Sequence, residues 1–220
     1  MRQVIKLIIQ EVGLSTNNLY NISDSTVDKN AIVDNAISEY WYFARELDEK
    51  TCNKIIDLAT EWQTAGVVNN LTDDSKPDTD IRVTDVTWCN EQWVYDLVWD
   101  YLNMANNNSN WNFQIDSCEA MQIARYNKKG HYDFHVDGNG ITKFENNNKF
   151  TRGKTRKLSM SIVLNDDFEG GEFEFFNKAK INSKKGTVIV FPSYMLHRVK
   201  PVTKGTRYSL VTWFCGEPFR

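Results

Sequence analysis

Apolar and polar residues alternate along the chain from about Ser117 onward, and this alternation constrains the fold more than any other feature. A period of two is what a strand with one buried face produces. The period recurs in short segments at 121–126, 158–164 and 172–175. A continuous apolar strand at 187–191 and a last strand at 206–214 follow, with Gly, Asn and Pro between the strands. Short strands separated by turn residues predict an antiparallel sandwich or barrel.

Two amphipathic helices are predicted before these strands. The first follows Asp48 as its N-cap, and the second starts near Asn90 and ends in the Asn-rich run 106–112. Their apolar stripes are Cys52, Ile55, Ile56, Ala59 and Trp62 in the first, and Val94, Leu97, Val98, Tyr101, Leu102 and Ala105 in the second. Helices followed by strands favour a fold in which the helices pack on the outside of a sheet.

The 220 residues suit one main domain. We expect an N-terminal segment over 1–38, with a strand at 4–9, followed by a single domain over 39–220. Within that domain we expect helical support over 48–105 and the β core over 117–215.

Charge and cysteine content narrow the setting of the protein. The net charge of −3 gives no general attraction to nucleic acid, which argues against a nucleic-acid partner. The four cysteines, at 52, 89, 118 and 215, form no C-x-x-C pair, and this indicates free thiols in a reducing compartment. No apolar run approaches the roughly 20 residues that span a bilayer. We therefore expect a cytoplasmic protein with no membrane partner.

Histidine is scarce, and its positions suggest a metal site. The chain contains three histidines: His131, His135 and His197. His135 and Asp137 are two residues apart and would point to one face of a strand, and His197 follows the turn at 191–193 on another strand. Two imidazoles and one carboxylate are the ligand set of non-haem Fe(II) oxygenases. His131 and Asp133 have the same spacing, and spacing alone does not decide between the two pairs.

Arg207 and Ser209 also share one face of a predicted strand. An arginine that points into a barrel is costly without an anionic partner. The planar guanidinium matches a carboxylate, so Arg207 is a candidate for holding the far end of a dicarboxylic cosubstrate. A surface ion pair is the alternative.

These residues lie within a longer pattern, which resembles the 2-oxoglutarate and Fe(II)-dependent dioxygenases and, within them, the prolyl 4-hydroxylase-like branch. The resemblance covers residues 117–215. The matching stretches are QIARY at 122–126, GHYDFHVD at 130–137, LSMSIVLN at 158–165, FEGGEF at 168–173, GTVIVFPS at 186–193, HRVKPV at 197–202 and GTRYSLVTW at 205–213. This flanking pattern favours the pair at 135 and 137 over the pair at 131 and 133.

The resemblance implies a mainly β fold with flanking helices and a double-stranded β-helix (jelly-roll) core. It also implies roles for eight residues. They are His135, Asp137 and His197 as Fe(II) ligands, Arg207, Tyr126 and Ser209 for 2-oxoglutarate, and Tyr132 and Trp213 in the substrate pocket. The loop over 138–154 is long and polar and begins beside the metal ligands, so we predict that it is a lid.

The activity that the resemblance implies is hydroxylation of an unactivated C–H bond by dioxygen, with release of succinate and CO2 and with ascorbate as reductant. The favoured substrate is a prolyl residue in a peptide or protein. A free amino acid or small metabolite is an alternative, and so is a non-catalytic jelly-roll metal-binding module. Demethylases of alkylated nucleic acid carry a second arginine where Trp213 stands here, and radical halogenases lack the carboxylate that Asp137 supplies.

Overall fold

The computed structural model describes residues 37–68, 75–76, 78–146, 148–176, 181 and 184–220. The strand expected at 4–9 and nearly all of the 1–38 segment lie outside these residues.

The described part of the chain contains two helices and sixteen short strands. The helices are α1 (Glu49–Ile56) and α2 (Gln92–Asn108), and neither is long and apolar enough to cross a membrane. The first nine strands are β1 (Trp41–Phe43), β2 (Gln63–Thr64), β3 (Val67–Val68), β4 (Ser75–Lys76), β5 (Arg82–Val83), β6 (Asp85–Cys89), β7 (Ser117–Cys118), β8 (Met121–Tyr126) and β9 (His131–His135). The others are β10 (Thr155–Val163), β11 (Glu169–Gly170), β12 (Phe173–Phe175), β13 (Val188–Pro192), β14 (His197–Val199), β15 (Val202–Lys204) and β16 (Arg207–Gly216).

Two antiparallel sheets form the body of the domain. The larger has eight strands in the order β1-β13-β10-β16-β8-β6-β2, with β7 paired to β16. The smaller has four strands in the order β12-β14-β9-β5. Neighbouring strands are mostly distant in sequence, so residues far apart in the chain meet across each sheet.

Side chains on the two faces of the larger sheet pack into two separate hydrophobic cores. One core lies between this sheet and the helices, where Val94, Val98 and Leu102 of α2 pack with residues such as Ile123 and Phe214. The second core lies between the two sheets. Its larger-sheet members include Val86, Ala124 and Phe191, and its smaller-sheet members include Phe173, Phe175 and Val199. The layers are therefore helices, larger sheet and smaller sheet, which confirms the predicted mainly β fold with flanking helices.

Helix α1 begins as predicted but is shorter than its apolar stripe suggests. Asp48 accepts a hydrogen bond from the Thr51 N–H (2.7 Å), as an N-cap should. The helix ends at Ile56, and the Ala59 N–H then bonds three residues back to the Ile56 carbonyl, which tightens the chain into a turn. The prediction that Ala59 and Trp62 belong to the helix was wrong, because apolar spacing does not distinguish a helix from the turn that follows it.

The segment between the helices is also more structured than predicted. Strands β2 to β6 lie within 63–89, where we expected helical support. Strand β6 extends the larger sheet and β5 extends the smaller one. Strands β2 to β5 have two residues each, too few to show a period in the sequence.

Candidate active site

The ends of β9 and β14 bring the three predicted metal ligands together. His135 and His197 are direct register partners across the two strands. Asp137 lies just beyond β9, where its backbone N–H donates to the Ser193 carbonyl (3.0 Å). Nε2 of His135 and Nε2 of His197 are each 3.6 Å from a different carboxylate oxygen of Asp137. Donor atoms of all three residues lie within 4.8 Å of one another, so the group could hold a metal ion.

Backbone carbonyls set the tautomers of both imidazoles. Nδ1 of His135 is 2.8 Å from the Asp133 carbonyl oxygen, and Nδ1 of His197 is 2.8 Å from the Met195 carbonyl oxygen. A carbonyl can only accept, so each Nδ1 carries the proton. Each Nε2 is then left with a free lone pair that faces Asp137, which is the arrangement that a metal-ligating histidine requires.

Burial and charge favour the protonation states that bind metal. Burial lowers the pKa of His197 to about 4, against the opposing charge of Asp137, so this imidazole is neutral near neutral pH. Burial alone would raise the pKa of the Asp137 carboxyl. In acid, the charge of the protonated His197 and the charge of Arg156 outweigh burial and hold that pKa below its usual range. The site therefore offers a neutral imidazole at His197 and a carboxylate at Asp137.

The second pair with the same spacing does not join this group. Nδ1 and Nε2 of His131 face the carbonyl oxygens of Lys129 (3.0 Å) and Asp80 (3.3 Å). The Asp133 side chain is exposed, and its nearest cation is Arg198 at 4.0 Å. The structure thus distinguishes the two H-x-D pairs, which have the same spacing: the pair at 135 and 137 joins His197, and the pair at 131 and 133 does not.

Arg207 is buried beside the predicted 2-oxoglutarate residues, and part of its guanidinium has no hydrogen-bond partner among the described residues. Its side chain is 1% exposed, and its Nη1 donates to the Ser209 hydroxyl (3.0 Å). Its guanidinium carbon is 5.4 Å from the centre of the Tyr126 ring. Nε and Nη2 are buried with no partner among the described residues, and burial lowers the pKa of this guanidinium. A buried cation with two unused donors fits the carboxylate of a small ligand.

One cavity of about 700 Å³ joins these features. Its lining includes seven of the eight residues singled out from the sequence; the eighth, Arg207, reaches it through its bond to Ser209. The seven are Tyr126, Tyr132, His135, Asp137, His197, Ser209 and Trp213.

Sequence reasoning gave no role to Arg156, which also lines this cavity. Its guanidinium donates to both oxygens of Glu119 (2.6 and 2.7 Å) and to the Asp137 carbonyl (3.2 Å). It also lies 4.0 Å from the centre of the Trp213 ring. The one signal in the sequence was a cation near the start of an apolar strand. Its pairing could not be predicted from the local sequence, because Glu119 is 37 residues away.

With this geometry established, comparison with known proteins relates the β core to a family. The family model of the 2OG-Fe(II) oxygenase superfamily matches residues 121–215. This segment is similar to that superfamily. The matched segment spans β8 to nearly the end of β16 and contains the three grouped ligands and Arg207.

Curated relatives align with this chain over stretches of similar length. A PKHD-type hydroxylase of Alteromonas mediterranea is 36% identical over 94 residues, which is 40% of this chain and 40% of that protein. A PKHD-type hydroxylase of Synechococcus sp. is 34% identical over 96 residues, which is 41% of this chain and 39% of that protein. The chain thus aligns with about two fifths of the length of these relatives.

Solved oxygenase structures share the fold over more of the chain. A viral collagen prolyl hydroxylase from Paramecium Bursaria Chlorella virus-1 superposes with a TM-score of 0.59 at 21% identity, covering 81% of this chain and 97% of that one. A Pseudomonas putida prolyl-4-hydroxylase gives a TM-score of 0.59 at 20% identity, covering 84% and 96%. A Trichoplax adhaerens prolyl hydroxylase in complex with a hypoxia inducible factor peptide fragment gives 0.58 at 18% identity, covering 84% and 86%. These likenesses confirm the predicted jelly-roll core.

Proposed function

We propose that this chain is an Fe(II)- and 2-oxoglutarate-dependent oxygenase that hydroxylates an unactivated C–H bond and releases succinate and CO2. The observation that carries the proposal is that three grouped metal donors line one cavity and that Arg207, which is buried with donors unpaired among the described residues, contacts Ser209 in the wall of the same cavity. A metal-binding module needs only the donors and an anion-binding protein needs only the arginine, whereas an oxygenase of this family needs both.

Three residues would hold the iron: His135 and His197 through Nε2, and Asp137 through its carboxylate. When bound, ferrous iron supplies the activation of dioxygen, which the protein side chains cannot perform. Three protein ligands leave coordination positions open for cosubstrate and dioxygen. The protein's part is to hold each Nδ1–H in a hydrogen bond to a backbone carbonyl, so that both Nε2 lone pairs stay directed toward Asp137.

Arg207 would bind the distal carboxylate of 2-oxoglutarate, with Tyr126 and Ser209 beside it. The two unused guanidinium donors form a planar fork that suits the two oxygens of a carboxylate. The site is dry, because Arg207 and Ser209 are each 1% exposed. The interaction therefore escapes the screening that weakens surface ion pairs.

A prolyl residue in a peptide or protein is the substrate that we favour. The relatives and structural neighbours named as PKHD-type or prolyl hydroxylases support it, and one neighbour was crystallised with a peptide fragment. Tyr132 and Trp213 give the cavity aromatic walls that suit an apolar ring.

The alternative is a free amino acid or small metabolite, and one observation favours it. The Arg82 guanidinium lines the cavity, and its buried Nε has no partner among the described residues. Such a group could bind the carboxylate of a free amino acid.

Several further expectations belong to the same proposal. Ascorbate would serve as reductant and dioxygen as cosubstrate. Residues 39–220 would form the working domain, with the loop over 138–154 as a lid, since Phe144 of that loop already lines the cavity. A cytoplasmic location is supported by the four cysteines, which are all free thiols.

Succinate release from 2-oxoglutarate, with Fe(II) and ascorbate and without substrate, tests the activity. We expect slow uncoupled turnover in the wild type and none in His197→Ala, since loss of one of three ligands removes the iron. Full turnover in that variant would exclude His197 as a ligand. Absence of both turnover and 2-oxoglutarate binding in the wild type would favour the metal-binding module instead. Stimulation by proline peptides or by free amino acids then separates the two substrate classes.

A further inference from the structure

The two histidines of the metal group are held by different surroundings. The His197 ring lies within a buried phenylalanine cluster, with ring centres of Phe191 at 4.6 Å, Phe173 at 5.5 Å and Phe175 at 6.4 Å. His135 faces the cavity, and its side chain is 15% exposed. Packing therefore fixes His197 on several sides, whereas His135 needs another source of support.

Tyr132 supplies that support by stacking on His135. The two ring centres are 3.4 Å apart and the ring planes differ by 11°, so the rings lie face to face. The hydrogen bond from Nδ1 of His135 to the Asp133 carbonyl fixes one edge of the imidazole. It still allows the ring to tilt, because the outer torsion of a histidine side chain is broad. The Tyr132 ring blocks that tilt.

Arg82 in turn holds Tyr132. The two residues are direct register partners on β5 and β9, and the Arg82 guanidinium carbon is 4.6 Å from the centre of the Tyr132 ring. Its hydrogen bonds to the Gly66 carbonyl (3.5 Å) and to Gln122 (3.4 Å) are long. The cation–π contact is the interaction that joins this guanidinium to the Tyr132 ring.

We propose that Tyr132, supported by Arg82, is a positioning residue that fixes the plane of the His135 imidazole for metal binding. This role is additional to its predicted place in the substrate pocket, and it rests on the metal site of the proposed function. A metal ion bonds a histidine along the lone pair in the ring plane, so a tilted ring binds it less well. Neighbours that orient a ligand typically contribute about 10- to 100-fold in metal affinity.

Titration of the metal-free protein with Co(II) alone tests this role without turnover or substrate. We expect Tyr132→Leu, which keeps apolar bulk but loses the flat ring, to raise the Co(II) dissociation constant about 10-fold or more. Tyr132→Phe keeps the ring and should stay within about twofold of the wild type. Trp88→Leu is the matched control, because Trp88 is an exposed aromatic of the same cavity with no ring contact to either histidine among the described residues. It should leave Co(II) affinity unchanged.

Two outcomes would overturn the role. Co(II) binding by Tyr132→Leu at wild-type affinity would show that the stack does not position His135. Equal weakening by Tyr132→Phe and Tyr132→Leu would assign the effect to the hydroxyl rather than to the ring. Circular dichroism of the metal-free variants identifies any that do not fold. If Tyr132→Leu is among them, Arg82→Met is the deciding variant. We expect it to weaken Co(II) binding about threefold. Unchanged Co(II) affinity in Arg82→Met would contradict the proposal. Failure of the wild type itself to bind Co(II) would instead contradict the proposed function.

Discussion

At the scale of single residues, the Arg207 guanidinium is the group whose surroundings most require a ligand. We predict that Arg207→Gln raises the apparent KM for 2-oxoglutarate by about 10- to 100-fold, because a charge-assisted pair of hydrogen bonds is lost from a dry site. Affinity for Co(II) should not change, since Arg207 is not among the metal donors. Ser209→Ala removes only the hydroxyl that Arg207 contacts and should have a smaller effect. Equal loss of metal and 2-oxoglutarate affinity in Arg207→Gln would indicate a structural role.

The two histidines of β9 should differ sharply when each is replaced. His135→Ala should lose stoichiometric metal binding, whereas His131→Ala should retain it, because the His131 ring faces two backbone carbonyls away from the group. Metal content per chain after anaerobic loading measures both variants. Metal loss in His131→Ala together with metal retention in His135→Ala would reverse the assignment.

The sequence predicted which residues would group but not everything that holds them. His135, Asp137 and His197 were accessible because strand parity and ligand chemistry are both local properties. Arg156 was not, since its role depends on contacts with Glu119 and with the Asp137 carbonyl that only the folded sheet creates. Spacing alone left the two H-x-D pairs equivalent, the flanking pattern favoured the pair at 135 and 137, and the structure groups that pair with His197.

At the scale of elements, the turn that carries Gly171 fits against the Arg207 side chain. Gly171 has a φ of +63°, and a Cβ added there would lie 3.0 Å from Cδ of Arg207. We predict that Gly171→Ala costs about 1–3 kcal/mol of stability from backbone strain and also weakens 2-oxoglutarate binding by displacing Arg207. Thermal unfolding and 2-oxoglutarate titration measure the two effects.

Gly153→Ala is the matched control for this turn. Gly153 has a φ of +78°, and nothing lies within 4 Å of an added Cβ, so this variant carries the backbone strain alone. It should lose stability without losing affinity for 2-oxoglutarate. Equal weakening of 2-oxoglutarate binding by both substitutions would show that the contact of Gly171 with Arg207 does not affect the binding of 2-oxoglutarate.

Element boundaries show where sequence patterns stop being informative. Strand β8 covers the predicted 121–126. Strand β10 starts at Thr155, earlier than the predicted 158, since its polar first residues carry no apolar signal. The short strands β2 to β5 escaped prediction, and tertiary pairing with longer neighbours rather than local pattern creates them.

At the scale of the whole molecule, the metal group and most of the cysteines lie on opposite sides of the larger sheet. The metal group and the cavity lie on the side of the larger sheet that faces the smaller one, whereas the helices cover its other side. Three of the four cysteines belong to the helix side: Cys52 and Cys89 are buried, and Cys118 is partly buried. The fourth, Cys215, is also buried, but its thiol donates to Glu119 (3.4 Å), the partner of Arg156 in the cavity wall. The core between helices and sheet therefore encloses three of the thiols, on the side of the sheet away from the iron chemistry that we propose.

This arrangement predicts that the thiols report opening of the whole domain. Burial raises the pKa of all four thiols, that of Cys118 to about 12, so at about pH 8 they stay protonated, and only the thiolate is reactive. We expect no fast-reacting thiol in the folded protein and four per chain in denaturant, measured with a chromogenic disulfide reagent. Because a single domain of this size opens as a unit, the four should appear over the same denaturant range as the loss of helical circular dichroism. A thiol that reacts at the rate of free cysteine in the folded protein would show that this core opens locally and more readily than its packing implies.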